Sequence, residues 1–381
     1  MIKKDDKPPK IVIVGAGPVG CYLGQMLKHY GFNPLLLEEH SEVGRPVSCA
    51  GIVGKDVFSD TIIPVPKKSI LNKIDGAKVV FNGSAFLLKR PSVAYIIDRA
   101  EFDKSLSEGL DIEFNTKAEK IEKVGAGYNV ITTNGEYYAD ILVGADGPYS
   151  RVRKLLRLNE NIKLYKGLQY RIRKEIPDKD RVEVSYIKPF SLFTWLIPEG
   201  NDIVRIGTIS DNPIHEIESF MADRNIKGEI VEKNAGPVPI GTCDLVKENA
   251  ALVGDAACQV KPITAGGIFY GIKSAEILAR AIKNEDLKAY AREWEEEFGK
   301  EIRLCLLMRY TMENIDKEVL KKVFEYVKDN AQLIENMGDF ENHSSVLWSL
   351  ITNPRTYPTI GSVFMGVLKK PKILMRFLKR K

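Results

Sequence analysis

The segment from Ile11 to Glu38 limits what this chain can fold into more than any other. Ile11-Val12-Ile13-Val14 is a continuous apolar run, as in a parallel strand buried on both faces. Gly15-Ala16-Gly17-Pro18-Val19-Gly20 follows at once, then a stretch of helical composition from Cys21 to Tyr30 that stops at Gly31. Leu35-Leu36-Leu37 reads as the next strand, and Glu38 closes it 23 positions after Gly15. This order of strand, glycine turn, helix, strand and acid is a dinucleotide-binding fingerprint. Gly15 permits the tight turn, Gly17 lets the backbone approach a pyrophosphate, and Gly20 lets helix and strand pack closely. The helix N-terminus offers unpaired N–H groups and the positive end of its dipole to phosphate. Glu38 is placed to accept hydrogen bonds from ribose hydroxyls. The plain alternative is that the glycines only make a tight turn; the full context argues against it. The fingerprint occurs once, so the single site should hold a permanent cofactor, and any nicotinamide would dock transiently.

Two further strand–turn segments lie far along the chain. Glu136 to Val143 runs into Gly144-Ala145-Asp146-Gly147. Ala251 to Val253 runs into Gly254-Asp255, and Ala265-Gly266-Gly267 then opens a helix through Ala281. Between them lie short strands broken by turns, and from Leu287 onward nearly everything reads as helix. The expected class is α/β (α+β overall). A Rossmann-like domain from 8–75, 95–155 and 241–285 is interleaved with an antiparallel-sheet substrate domain from 76–94 and 156–240. A helical region with a basic tail, 286–381, closes the chain.

Charge and cysteines narrow the class. The formal net charge is +5, but the residues after Glu341 contain eight basic and no acidic side chains. Residues 1–341 carry 48 basic against 51 acidic residues, a net −3, so a nucleic-acid partner is not expected. Five scattered cysteines form no C-x-x-C pair, which predicts no metal site and fits a reducing cytoplasm. Met1 to Lys10 does not read as a signal peptide, and no run is long and apolar enough for a transmembrane helix.

Gly15–Gly20, Gly144-Ala145-Asp146-Gly147 and Gly254-Asp255 together resemble the three sequence marks of the flavoprotein hydroxylase class related to p-hydroxybenzoate hydroxylase. Within it, the chain resembles the geranylgeranyl reductase family, which includes archaeal digeranylgeranylglycerophospholipid reductases. The residues carrying this are Gly44-Arg45-Pro46-Val47-Ser48-Cys49-Ala50-Gly51, Phe193-Thr194-Trp195-Leu196-Ile197-Pro198, Gly236-Pro237-Val238-Pro239-Ile240-Gly241 and Pro262 to Ile268.

The resemblance implies FAD as cofactor. Val19 and Glu38 would touch its adenosine half, and Ala118 would sit near the adenine. Arg99 would reach the phosphate or ribityl region, and Asp255 the ribityl or ribose hydroxyls. Gly266, Gly267 and Ile268 would aim N–H groups at the flavin's pyrimidine edge, although Ala265 replaces the first of the family's usual three glycines. Arg45, Cys49, Ala50 and Ile52 would line the cofactor from the loop between it and the substrate. The family usually has Gly-Glu-Gly after this cysteine; here Ala50-Gly51-Ile52 follows, so no proton donor is read there. Cys49 and Trp195 are the candidate catalytic residues. Cys49 could instead be a small buried hydrophobe. Phe193, Trp195 and Ile197 share one strand face, which suits either a hydrocarbon substrate or plain sheet core.

The implied activity is reduction of isoprenoid double bonds in membrane-lipid biosynthesis, with electrons from NADPH, NADH or a ferredoxin-like protein. A monooxygenase or halogenase is the alternative, because Phe193 to Pro198 is similar to the halogenase Trp-x-Trp-x-Ile-Pro mark. A third reading is a flavin electron carrier. In Lys372 to Lys381 the apolar and basic residues fall on different faces of a short helix. That helix could rest peripherally on an anionic membrane or simply stay solvated.

Overall fold

The structure is a computed structural model and describes residues 8–189, 191–337 and 340–344. Its first sheet grows outward from the fingerprint. Strands Ala250–Leu252, Ile141–Gly144, Ile11–Val14, Leu35–Leu37 and Asp111–Glu113 run parallel in that order, and Val246–Lys247 adds an antiparallel edge. Ile11–Val14 lies where the chain order reverses. That is the switch point at which open α/β sheets bind ligands, beyond the carboxyl ends of the strands.

Alternation explains the four apolar residues of that first strand. Ile11 and Ile13 join a core with helices Pro18–His29, Arg99–Ser107 and Ile268–Lys283. Val12 and Val14 face the other way, into a core shared with a meander of Ala118–Val124, Gly127–Thr132 and Gly135–Ala139. Glu136 to Val143 does not form the one strand expected from sequence. The break falls at Asp140, whose carboxylate accepts the Lys10 N–H at 2.8 Å, and the two halves enter different sheets.

The second sheet has eight strands. In spatial order they are Glu229–Cys243, Glu160–Arg173, Ile203–Ser210, Leu192–Gly200, Arg181–Lys188, Ile70–Phe81, Ser84–Ile97 and Ile52–Gly54. It takes more of the chain than the expected 76–94 and 156–240. One strand begins at Ile70, the next ends at Ile97, and Ile52–Gly54 pairs with Ala94–Ile96. The start at Ile70 is hidden in sequence because Leu71 and Lys73 both point to solvent, so the apolar alternation is lost there. One face of this sheet packs Val204 and Ile206 on helix Pro213–Asp223, and the opposite face carries Phe193, Trp195 and Ile197.

Helices Lys300–Asn314 and Lys317–Asp329 cover Val79 and Phe81 of the second sheet. Among the described residues no helix is long and apolar enough to cross a membrane. The basic segment 372–381 lies outside the described residues.

Candidate active site

One cavity of about 980 Å³ runs from the glycine turn to the apolar face of the second sheet. That is at the upper end of small-molecule sites, which span roughly 300–1,000 Å³. At the first end, Gly15 has φ +103°, and a Cβ there would lie 2.4 Å from the Ala145 carbonyl oxygen. Gly20 sits behind the turn rather than on the cavity wall. Gly17 is different: a Cβ there would meet no atom within 4 Å, because it would point into the cavity. Gly17 caps helix Pro18–His29 without a side-chain hydrogen bond, so the first N–H groups of the helix are left for a ligand.

Glu38 is buried on the same wall. One oxygen accepts the Ala16 N–H at 2.8 Å; the other accepts the His40 N–H at 3.0 Å and lies 2.7 Å from His40 Nδ1. The acid therefore holds the glycine turn as well as facing the cavity, a second task that the spacing alone did not reveal. Val19 packs against Gly254 and Gly271, and Ala118 is buried at its strand edge. Arg45 is exposed at the rim.

Midway along the cavity, Arg99 makes a bidentate pair with Asp103 at 3.0 and 2.9 Å. Burial works against its charge, but the Asp103 carboxylate outweighs this and holds its proton more tightly than usual. A cation in the first turn of its own helix is thus stabilised by an acid one turn on. Asp255 borders the cavity, and among the described residues its carboxylate has no hydrogen-bond partner. Burial pushes it up to about 6, with Arg99 pulling the other way. Gly267 begins helix Ile268–Lys283, again with no side-chain cap.

Two uncapped helix N-termini, an unsatisfied carboxylate and a Gly17 that opens into space are what a long, phosphate-bearing, hydroxyl-rich cofactor would complete. These residues fit FAD. Asp255 also yields a prediction. Its raised value stabilises the folded cofactor-free chain fully below the ordinary aspartate value of 3.8, and this is lost as pH rises through about 6. Ionising it should cost up to about 3 kcal/mol. Cofactor-free Asp255→Asn should therefore exceed the cofactor-free parent by up to about that amount at pH 8 and match it below about pH 4 in urea unfolding. Equal stability at both pH values would contradict the assignment.

At the far end, the Cys49 loop meets the second sheet. Gln169 bridges them: its amide nitrogen donates to the Cys49 carbonyl at 3.3 Å, and its oxygen accepts from Trp195 Nε1 at 3.0 Å. Trp195 needs Gly207 beside it, since a Cβ there would stand 2.3 Å from the indole. Arg205 donates to the carbonyls of Ala50 at 2.8 Å and Ile97 at 3.1 Å, and pairs with buried Glu199 at 2.7 Å. Arg171 holds the same Glu199 at 2.9 and 2.6 Å. Sequence reasoning did not find Gln169, Glu199, Arg171 or Arg205; alternation on their strands was the one available signal. Around Cys49, Ala50 and Ile52, the wall is Phe193, Trp195, Ile197, Val182, Val184 and Tyr186. Of the positions chosen from sequence, all but Gly20 border this one cavity.

The switch-point sheet, the two uncapped helix ends and the adjoining antiparallel sheet define a dinucleotide-dependent flavoprotein fold. No protein-family model matches the chain. A relative of undescribed activity from Methanocaldococcus jannaschii is 34% identical, across 88% of this chain and 93% of its own. Digeranylgeranylglycerophospholipid reductase 3 of Methanosphaera stadtmanae is 31% identical, across 82% of this chain and 89% of its own. The crystal structure of a geranylgeranyl bacteriochlorophyll reductase-like protein from Thermoplasma acidophilum shares the fold with a TM-score of 0.77 at 22% identity, covering 91% of this chain and 99% of that one. The chain belongs to the digeranylgeranylglycerophospholipid reductase group of the geranylgeranyl reductase family.

Proposed function

We propose that this protein is an FAD-dependent oxidoreductase that saturates carbon–carbon double bonds in the geranylgeranyl chains of membrane lipids. The observation carrying this reading is the continuity of the cavity. A glycine-lined dinucleotide trench passes Arg99 and Asp255 and opens without a break onto the apolar Phe193–Trp195–Ile197 wall.

When bound and reduced, FAD supplies a hydride to the double bond. Gly17 and the helix behind it would take the pyrophosphate, Arg99 the phosphate or ribityl region, and Asp255 the hydroxyls. Gly266, Gly267 and Ile268 would turn N–H groups toward the pyrimidine edge, where negative charge gathers on reduction. An isolated alkene has no carbonyl to take up charge, so the chain's main tasks are holding it in position and keeping water out. Trp195, held by Gln169, and the Cys49 loop, pinned by Arg205, form the two sides of that chamber. Ala50-Gly51 provide no carboxylate, so the completing proton must come from water or another group.

Electrons would arrive from NADPH, NADH or a ferredoxin-like protein at a transient site, since the chain carries one fingerprint. The halogenase alternative needs a free lysine at the Trp195 end. Lys261 borders the cavity but is committed to the Phe340 carbonyl and Glu341 Oε2, both at 2.9 Å.

The test is to reduce the bound flavin without oxygen and then add geranylgeranyl lipid. Reoxidation with saturated product is expected. Product only after oxygen is admitted would favour a monooxygenase, and reoxidation only by a protein acceptor would favour an electron carrier. We further propose that the basic segment 372–381 rests on anionic lipid, at about 1 kcal/mol per basic residue near the surface. Deleting residues 369–381 should weaken binding to phosphatidylserine vesicles; unchanged binding would remove the idea.

A further inference from the structure

A second chemical cluster lies behind the cavity wall, in the C-terminal helices. Helix Lys300–Asn314 places Glu301 and Cys305 one turn apart on one buried face. The segment 340–344 lays His343 against them. A Glu301 carboxylate oxygen, the Cys305 sulfur and a His343 ring nitrogen all lie within 4.8 Å of one another. The thiol donates to Glu301 Oε1 at 3.1 Å, and the N–H groups of His343 and Ser344 donate to the same carboxylate at 2.8 and 3.0 Å. His343 Nδ1 is buried and has no hydrogen-bond partner among the described residues. An orphaned buried ring nitrogen is expensive, and a bound ion is one of the few things that explains it.

We propose that Glu301, Cys305 and His343 form a binding site for a divalent transition-metal ion, with zinc the best match. Mixed sulfur, nitrogen and oxygen ligands are the zinc-type set. One thiolate and one carboxylate balance a 2+ charge. Zinc–ligand bonds of about 2.0–2.3 Å put tetrahedral ligand atoms about 3.5 Å apart, so no pair of the three atoms needs to close in by more than about 1.3 Å. On binding, the Cys305 S–H bond breaks, a sulfur–metal bond forms, and the proton leaves to solvent.

The site has a consequence for the cavity. Phe340 and Glu341, just before His343, border its apolar end, and Glu341 meets Lys261 ahead of the Gly266 turn. A bound ion would fasten this segment to helix Lys300–Asn314 and so hold that wall in place. The sequence hides the site because its ligands come from a helix and a distant segment, with no paired cysteines.

The test uses the full chain with its flavin, purified without an affinity tag that binds metal. After dialysis against a chelator, Co²⁺ is added as the probe. One ion per chain and a thiolate-to-cobalt charge-transfer band are expected. Cys305→Ser and His343→Ala should each abolish the band while retaining the flavin spectrum and circular dichroism; Cys258→Ser should keep it. If Cys305→Ser fails to fold, His343→Ala decides alone. No stoichiometric binding, or a band that survives His343→Ala, overturns the proposal.

Discussion

Gly17→Glu protein is expected to fold normally and to purify without its yellow cofactor. A side chain at residue 17 meets no protein atom within 4 Å, so the fold has no reason to object. The same side chain enters the space at the N-terminus of helix Pro18–His29 and brings a negative charge to where a pyrophosphate would lie. Both volume and charge oppose FAD. Affinity should fall at least a hundredfold, or about 3 kcal/mol. Flavin absorbance of the purified protein and fluorescence titration measure the loss; circular dichroism and the melting temperature of the cofactor-free forms should stay close to the parent. Gly15→Val makes the contrast. Its side chain collides with the Ala145 carbonyl at a positive φ, so it should lose stability as well as cofactor. Normal flavin content in Gly17→Glu would place the dinucleotide elsewhere.

Arg205→Met should cost about 3 kcal/mol of stability and loosen the Cys49 loop. The guanidinium is buried, ties the Ala50 and Ile97 carbonyls, and shares Glu199 with Arg171. Breaking a buried pair by removing one partner typically costs about 3–5 kcal/mol. Arg171 remains on Glu199, so the lower end is expected. Urea unfolding should show a lower midpoint with an unchanged slope, and amide exchange at Ala50 and Gly51 should speed up. A loss below about 1 kcal/mol would show that the Cys49 loop does not depend on Arg205. Glu199 adds a pH dependence. Burial would push its carboxyl up, yet Arg171 and Arg205 hold it below the ordinary value of 4.5. The stability it contributes is therefore present above that value and is lost as the pH falls.

The backbone of the glycine turn could be read almost residue by residue. Gly15, Gly17 and Glu38 belong to one strand–turn–helix–strand unit, and their relation is written in local backbone geometry. The meander and the true edges of the second sheet were harder. Asp140 breaks what sequence shows as one continuous strand, and Ile52–Gly54 is too short to declare its sheet. The apolar wall was half legible. The period of two put Phe193, Trp195 and Ile197 on one face, but could not say whether that face met core or cavity; here it meets both.

By itself, then, the sequence determined a single dinucleotide fingerprint, the kinship with a reductase family and an apolar stripe along one strand face. These rest on short contiguous patterns, where neighbours along the chain are neighbours in space. Tertiary structure alone decided what supports them. Arg205 reaches Ala50 across 155 positions, Gln169 reaches Cys49 across 120, and His343 meets Glu301 across 42. Such contacts follow from strand order and helix packing, and no local spacing encodes them.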